Sequence, residues 1–125
     1  MHNLKIYCMC LDNNYLESVK KLNYIPVGLK NKNFSEEWLL DNTFENISEK
    51  NPYYGEYTFY YWYWKNLLYK KSPNEWVGFC SYRELWGDKK NLKDKTSITS
   101  LLKSLPKEWD DYDAIIGEPT ILNRP

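Results

Sequence analysis

Apolar residues fall in short runs separated by polar turns, a spacing that predicts strands alternating with helices. The run LKIYCMC, Leu4 to Cys10, is β-prone and short enough for a buried strand. Asp12 or Asn13 is placed to cap a helix over Tyr15 to Leu22, with Leu16, Val19 and Leu22 on one face. Tyr24 to Gly28 reads as a second strand, and strand, helix, strand in that order builds a parallel sheet. Ser35 opens SEEWLL, predicted as a short helix with Glu36 and Glu37 in its first turn, and a polar loop runs from Asp41 to Asn51.

The segment from Asn51 to Lys71 is aromatic almost throughout. Its TFYYWYW core has strand propensity, but the run is too long for one ordinary strand. Asn51 suits a helix N-cap, Pro52 the first helical position, and Lys65, Lys70 and Lys71 gather at the other end, so the segment predicts one helix. Tyr57, Tyr60, Tyr61, Trp64, Leu67 and Leu68 form its apolar stripe, wide enough to imply burial on two sides. EWVGFCSY, Glu75 to Tyr82, is apolar and free of proline, as a central strand should be. A lysine-rich loop follows, then a short helix from Thr96 or Ser97 through Leu105, stopped by Pro106, and a last strand at Asp113 to Gly117.

The 125 residues are one domain's worth, with a core large enough to need neither disulfide nor metal. The 12 Tyr and 6 Trp, against 4 Phe, give that core or a cleft in it many hydrogen-bonding edges. Basic and acidic residues balance at 17 each, which removes the electrostatic footprint of a nucleic-acid binder and makes an anionic membrane surface a poor partner on net charge. No apolar run approaches the ~18 residues of a membrane-crossing helix, and LKIYCMCL is too short for a secretory signal, so a cytoplasmic protein is expected. Cys8, Cys10 and Cys80 have no disulfide-framework spacing, and His2 is the one histidine, so no metal site is expected.

The chain carries no glycine-rich phosphate loop, nucleophile elbow, Cys/His pair or paired-histidine motif. DDYD, Asp110 to Asp113, has the D-x-D spacing that metal-dependent nucleotide-sugar enzymes use. It lies at the entry of a predicted strand, whereas ligands of open α/β sheets gather at strand exits, so it reads as a solvated strand start. The exit of EWVGFCSY carries Tyr82 and Arg83, and an arginine there can hold a diphosphate bidentately without a metal. The alternative is a surface pair between Arg83 and Glu84 or another acid. Only two of the 17 basic residues are arginines, which makes Arg83 notable. Glu56, the one acid between Lys50 and Glu75, is either a buried carboxylate that needs a hydrogen bond or an exposed acid in a first helical turn. Asn42, Thr43 and Asn46 lie in a polar loop long enough to line a pocket, though such loops are also simple capped turns.

The stretch from Ile25 to Trp86, containing DNTFENISEKNPYYGEYT, YWYWKN and CSYRE, resembles the N-terminal half of a family of uncharacterised domains in bacterial capsular and exopolysaccharide glycosyltransferases. The family pattern is D-N-T-G-x-N-I-S-x-K-N-P-x-Y-x-E-x-T, then Y-W-x-W-K-N, then C-x-Y-R-R. Phe44 stands at its usual glycine, and Ser81 and Glu84 at its histidine and second arginine. The resemblance implies a Rossmann-like α/β fold of the nucleotide-diphospho-sugar transferase type with a mainly parallel sheet. It implies a single, incomplete domain over residues 1–125, the family's domain continuing for about as many residues again. The implied function is sugar transfer from a nucleotide-sugar donor to a glycan acceptor, with Glu56 and Arg83 catalytic and Asn42, Thr43, Asn46, Lys50, Tyr54 and Tyr82 binding substrate. No cofactor is implied. The alternative is a non-catalytic carbohydrate-binding or protein-interaction module, because Tyr and Trp faces stack on sugar rings. With four predicted strands an apolar sheet face is left uncovered, from which a homo-oligomer or a second chain and little activity alone are expected.

Overall fold

The computed structural model describes residues 3–29, 33–87 and 101–117. It contains a four-stranded, all-parallel sheet in the order β3-β2-β1-β4, a mixed α/β arrangement consistent with a Rossmann-like fold. The strands are β1 (Asn3–Cys10), β2 (Ile25–Gly28), β3 (Leu39–Leu40) and β4 (Glu75–Ser81). The helices are α1 (Leu16–Lys21), α2 (Asn51–Tyr54) and α3 (Tyr57–Asn66).

β1 lies at the centre, its Tyr7 level with Ile25 of β2 on one side and Phe79 of β4 on the other. Alternation then assigns its residues to two cores. Ile6, Cys8 and Cys10 pack with Val19 and Leu22 beneath α1. Tyr7 and Met9 pack with Phe59, Trp62 and Tyr63 of α3. A central parallel strand buried on both faces has no polar side to show, which is why LKIYCMC reads as a continuous apolar run. The three cysteines are free and buried. Hydrogen bonding to Cys8 and burial hold the Cys10 and Cys80 thiols up, so both serve as small neutral packing groups.

The β1-α1-β2 unit forms as its pattern predicts. The Asp12 carboxylate accepts from the Asn14 amide at 2.8 Å and caps a 3-10 turn, Asn13–Tyr15, that leads into α1. Asn23, at φ 59°, ends the helix in the left-handed conformation that asparagine tolerates, and turns the chain into β2.

Four expectations are corrected. SEEWLL is not a helix: a single turn, closed by the Trp38 amide on the Ser35 carbonyl at 3.2 Å, is followed by β3, because Leu39 and Leu40 find partners in Val27 and Gly28 of β2. The Asn51–Lys71 helix is broken at Gly55, whose φ of 56° and ψ of −128° no helix contains, and α3 ends at Asn66. Asn51 is a helical residue of α2, not its N-cap. Of the predicted helix through Leu105, residues 96–100 lie outside the described residues. Residues 101–105 are not helical, because the Leu102 amide donates to the Trp86 carbonyl at 2.9 Å and the Tyr24 hydroxyl donates to the Leu102 carbonyl.

The fourth concerns Asp113–Gly117, which forms no strand. The Tyr82 amide donates to the Met9 carbonyl, so even-numbered residues of β4 face β1 and Phe79 faces the open edge. There the Phe79 carbonyl is taken by the Trp86 indole N–H at 2.9 Å, which covers the edge where a further strand would pair.

The buried side of α3 also differs from the predicted stripe. Thr58, Phe59, Trp62 and Tyr63 face the sheet, while Tyr57 and Trp64 are exposed and Tyr60, Tyr61 and Leu67 half-buried. In a helix aromatic on nearly every side, hydropathy does not select the inner face; Thr58 and Trp62 do, through hydrogen bonds to the preceding loop. No helix among the described residues is long and apolar enough to cross a membrane.

Candidate functional site

In the order β3-β2-β1-β4 the chain steps outward from β1 to β2 and β3, then returns to place β4 on the other flank of β1. The order reverses between β1 and β4, and the connections that leave their carboxyl ends run apart to leave a crevice. A cleft of about 540 Å³ occupies that place, floored by Met9, Leu11 and Leu29 and walled by Asn51–Glu56 on one side and Ser81–Arg83 on the other. A larger cavity, about 730 Å³, lies along the amino-terminal half of β4, where Trp76, Trp86 and Trp109 line it and Asp110 and Asp113 of DDYD stand at its rim. The smaller cleft is the candidate site, because titratable and amide side chains from two segments converge in it at the strand exits. DDYD sits at the far end of β4 in a turn, not at a strand start as expected.

A tight turn shapes the β4 wall. The Glu84 amide donates to the Ser81 carbonyl at 3.1 Å, which puts Tyr82 and Arg83 at the turn's tip. The Tyr82 ring packs at a tilt of 31° against Tyr15, ring centres 4.3 Å apart, and the Arg83 guanidinium carbon lies 5.3 Å from the Tyr82 ring centre. Among the described residues no carboxylate pairs with Arg83, so the surface pair with Glu84 does not form and the fork stays open to a ligand.

The opposite wall depends on a buried polar chain. Asp41 is 1% and Thr58 0% exposed, and the Thr58 hydroxyl donates to Asp41 Oδ2 at 2.6 Å. Asn51, 4% exposed, donates through Nδ2 to the Gly55 carbonyl at 2.9 Å and to Thr58 Oγ1 at 3.2 Å. These bonds tie the start of α2 to the first turn of α3 and fix the bend at Gly55 between them. Burial raises the Asp41 carboxyl above its ordinary value, an effect that the Thr58 hydroxyl and the Asp41 amide oppose.

The expected site residues divide into two groups. Glu56, Arg83, Tyr54 and Tyr82 line the cleft together. Glu56 is exposed at the start of α3, the second of its two readings. Asn42, Thr43, Asn46 and Lys50 do not line it. Thr43 accepts the Trp62 indole N–H through its carbonyl at 2.8 Å and its hydroxyl at 3.1 Å, and donates to the Leu40 carbonyl at 3.0 Å. Asn46 Oδ1 caps the turn at Ser48, while its Nδ2 donates to the Phe44 carbonyl. Asn42 and Lys50 are exposed on the same loop and its closing turn. The D-N-T segment therefore braces α3 from outside the cleft. Asn51 and Ser81, which do line it, were legible only as a supposed helix cap and as a departure from the resembled pattern.

The family of domains of unknown function DUF4422 matches residues 5–124. The chain belongs to that family. No curated protein and no solved structure matches it. The buried set Asp41, Asn51 and Thr58 gives this DUF4422 chain a structural reason for the spacing of its D-N-T and N-P-x-Y-x-E-x-T segments: three side chains distant in sequence meet in one hydrogen-bonded chain behind the cleft.

Proposed function

We propose that the cleft binds a nucleotide-activated sugar and that the chain is the donor-binding part of a glycosyltransferase of surface-polysaccharide synthesis. One observation carries this reading: an arginine with no acidic partner among the described residues stands at the rim of a cleft formed where the strand order reverses. The Arg83 guanidinium supplies two parallel N–H donors to a diphosphate. Tyr54 and Tyr82 supply ring faces for a base or a sugar, and Glu56 accepts from a sugar hydroxyl or takes the proton of an incoming one. The acceptor is a glycan, and the reaction belongs on the cytoplasmic side, where activated sugars are at hand.

A second reading, a carbohydrate-binding module without catalysis, is favoured by Tyr53 and Tyr57, which are 87% and 69% exposed on the helices beside the cleft. A thermal-shift panel separates the two. Stabilisation by nucleoside diphosphate sugars that is lost in Arg83→Ala supports the transferase reading, since a ligand at a hundred times its Kd adds about 2.7 kcal/mol. Stabilisation by free oligosaccharides alone supports the module. A flat response to the whole panel overturns both.

A further inference from the structure

Part of the stripe that the hydropathy pattern assigns to the interior of α3 faces outward. Tyr57 and Trp64 are 69% and 55% exposed, Leu68 just beyond the helix is 45% exposed, and Tyr69 beside it 74%. Phe44 flanks this seam, because the residues on either side of it are tied to α3: Thr43 accepts from Trp62, and Glu45 accepts from the Tyr61 hydroxyl at 3.2 Å and the Asn66 amide at 2.9 Å. Phe44 is 86% exposed and has a φ of 51°. A bulky side chain in the left-handed region is strained, and an exposed phenyl ring gains nothing from folding, so the strain at Phe44 is not offset by burial of its ring.

Charge on this face departs from the chain's neutral balance. From Tyr57 to Asn74 the sequence holds Lys65, Lys70 and Lys71 and no acid. The Lys65 ammonium lies 4.0 Å from the Trp64 ring centre. The Glu45 carboxylate stands 3.8 Å from that ammonium, and Glu75, Asp110 and Asp113 line the cavity whose rim Leu68 and Lys71 share. The carboxyl-terminal end of α3 and its following turn thus present exposed Trp, Leu and Tyr side chains interleaved with lysines, with Phe44 exposed on the loop tied to α3. Amphipathic rings flanked by long cationic stems settle at the headgroup level of a bilayer, rings at the acyl boundary and ammonium groups among lipid phosphates.

We propose that this face is a peripheral docking site for an anionic bilayer surface. Trp64, Leu68, Tyr69 and Phe44 enter the headgroup region, and Lys70 and Lys71 meet the anionic lipid. The inference is independent of the cleft's ligand.

Co-sedimentation of the chain with vesicles tests it, using phosphatidylcholine alone and phosphatidylcholine with about one third phosphatidylglycerol. The expected result is partition onto the anionic vesicles only, weakening as salt is raised. Lys70→Ala and Lys71→Ala should each lower partition about fivefold. Trp64→Ala and Phe44→Gly should each lower it further while circular dichroism stays unchanged, both side chains being exposed. Equal partition onto neutral vesicles, no partition at all, or partition insensitive to Trp64→Ala overturns the proposal. So does a dimer, seen by light scattering, that Trp64→Ala dissolves without any vesicle binding, which would assign the seam to a second copy of the chain.

Discussion

Asp41 and Thr58, 17 residues apart, share a 2.6 Å hydrogen bond in the interior of the molecule. It joins the loop after β3 to the first turn of α3, and through Asn51 it reaches the wall of the cleft. Thr58→Val keeps the shape and removes the donor, leaving a carboxylate buried without its partner. A loss of about 2–3 kcal/mol is expected by urea denaturation, with Thr58→Ser recovering most of it.

The raised Asp41 pKa makes part of the stability pH-dependent. The folded chain holds this proton to higher pH than the unfolded chain, whose value is near 3.8. The contribution is therefore full below that value and is lost as pH rises through the folded pKa. Asp41→Asn removes this dependence. Its urea midpoint relative to the parent chain should rise between pH 4 and pH 7, and a constant difference would argue against a perturbed carboxyl.

Gly55 occupies backbone space that a side chain disfavours, although a Cβ there would meet nothing within 4 Å. The cost of Gly55→Ala is conformational alone, about 1–3 kcal/mol. Straightening toward one continuous helix would also move Asn51 and Glu56, so nucleotide-sugar binding should weaken together with thermal stability.

Phe44 makes the opposite prediction. Phe44→Gly relieves a positive φ and gives up little burial, so the variant should be more stable by about 0.5–1 kcal/mol, the strain relieved exceeding the entropy cost of glycine. Differential scanning calorimetry of the pair measures it.

At the cleft, Arg83→Lys keeps the charge and loses the fork. Affinity for a nucleoside diphosphate sugar should fall about tenfold by isothermal titration, the worth of one charge-assisted hydrogen bond. An unchanged Kd would remove Arg83 from the site.

The sequence by itself determined β1, α1, β2 and β4, because each carries its signal locally. LKIYCMC is apolar on both faces, as a strand covered on either side must be, and Asp12 caps the turn that leads into a helix whose periodic face needs no information from elsewhere. EWVGFCSY, read as a central strand, is instead half-buried at the edge of the sheet formed by the described residues. The strand exit bearing Tyr82 and Arg83 followed from the same pattern. What only the tertiary structure decided depends on partners far along the chain. Leu39 and Leu40 are a strand only because β2 offers an edge, and Asp113–Gly117 is not one where Trp86 already holds the Phe79 carbonyl. Thr43 and Asn46 look like ligand-binding residues until Trp62 and Ser48 take their hydrogen bonds. The inner face of α3 was unreadable for the same reason: aromatic residues all round the helix make hydropathy degenerate, and Asp41 and Thr43, through Thr58 and Trp62, set which side turns inward.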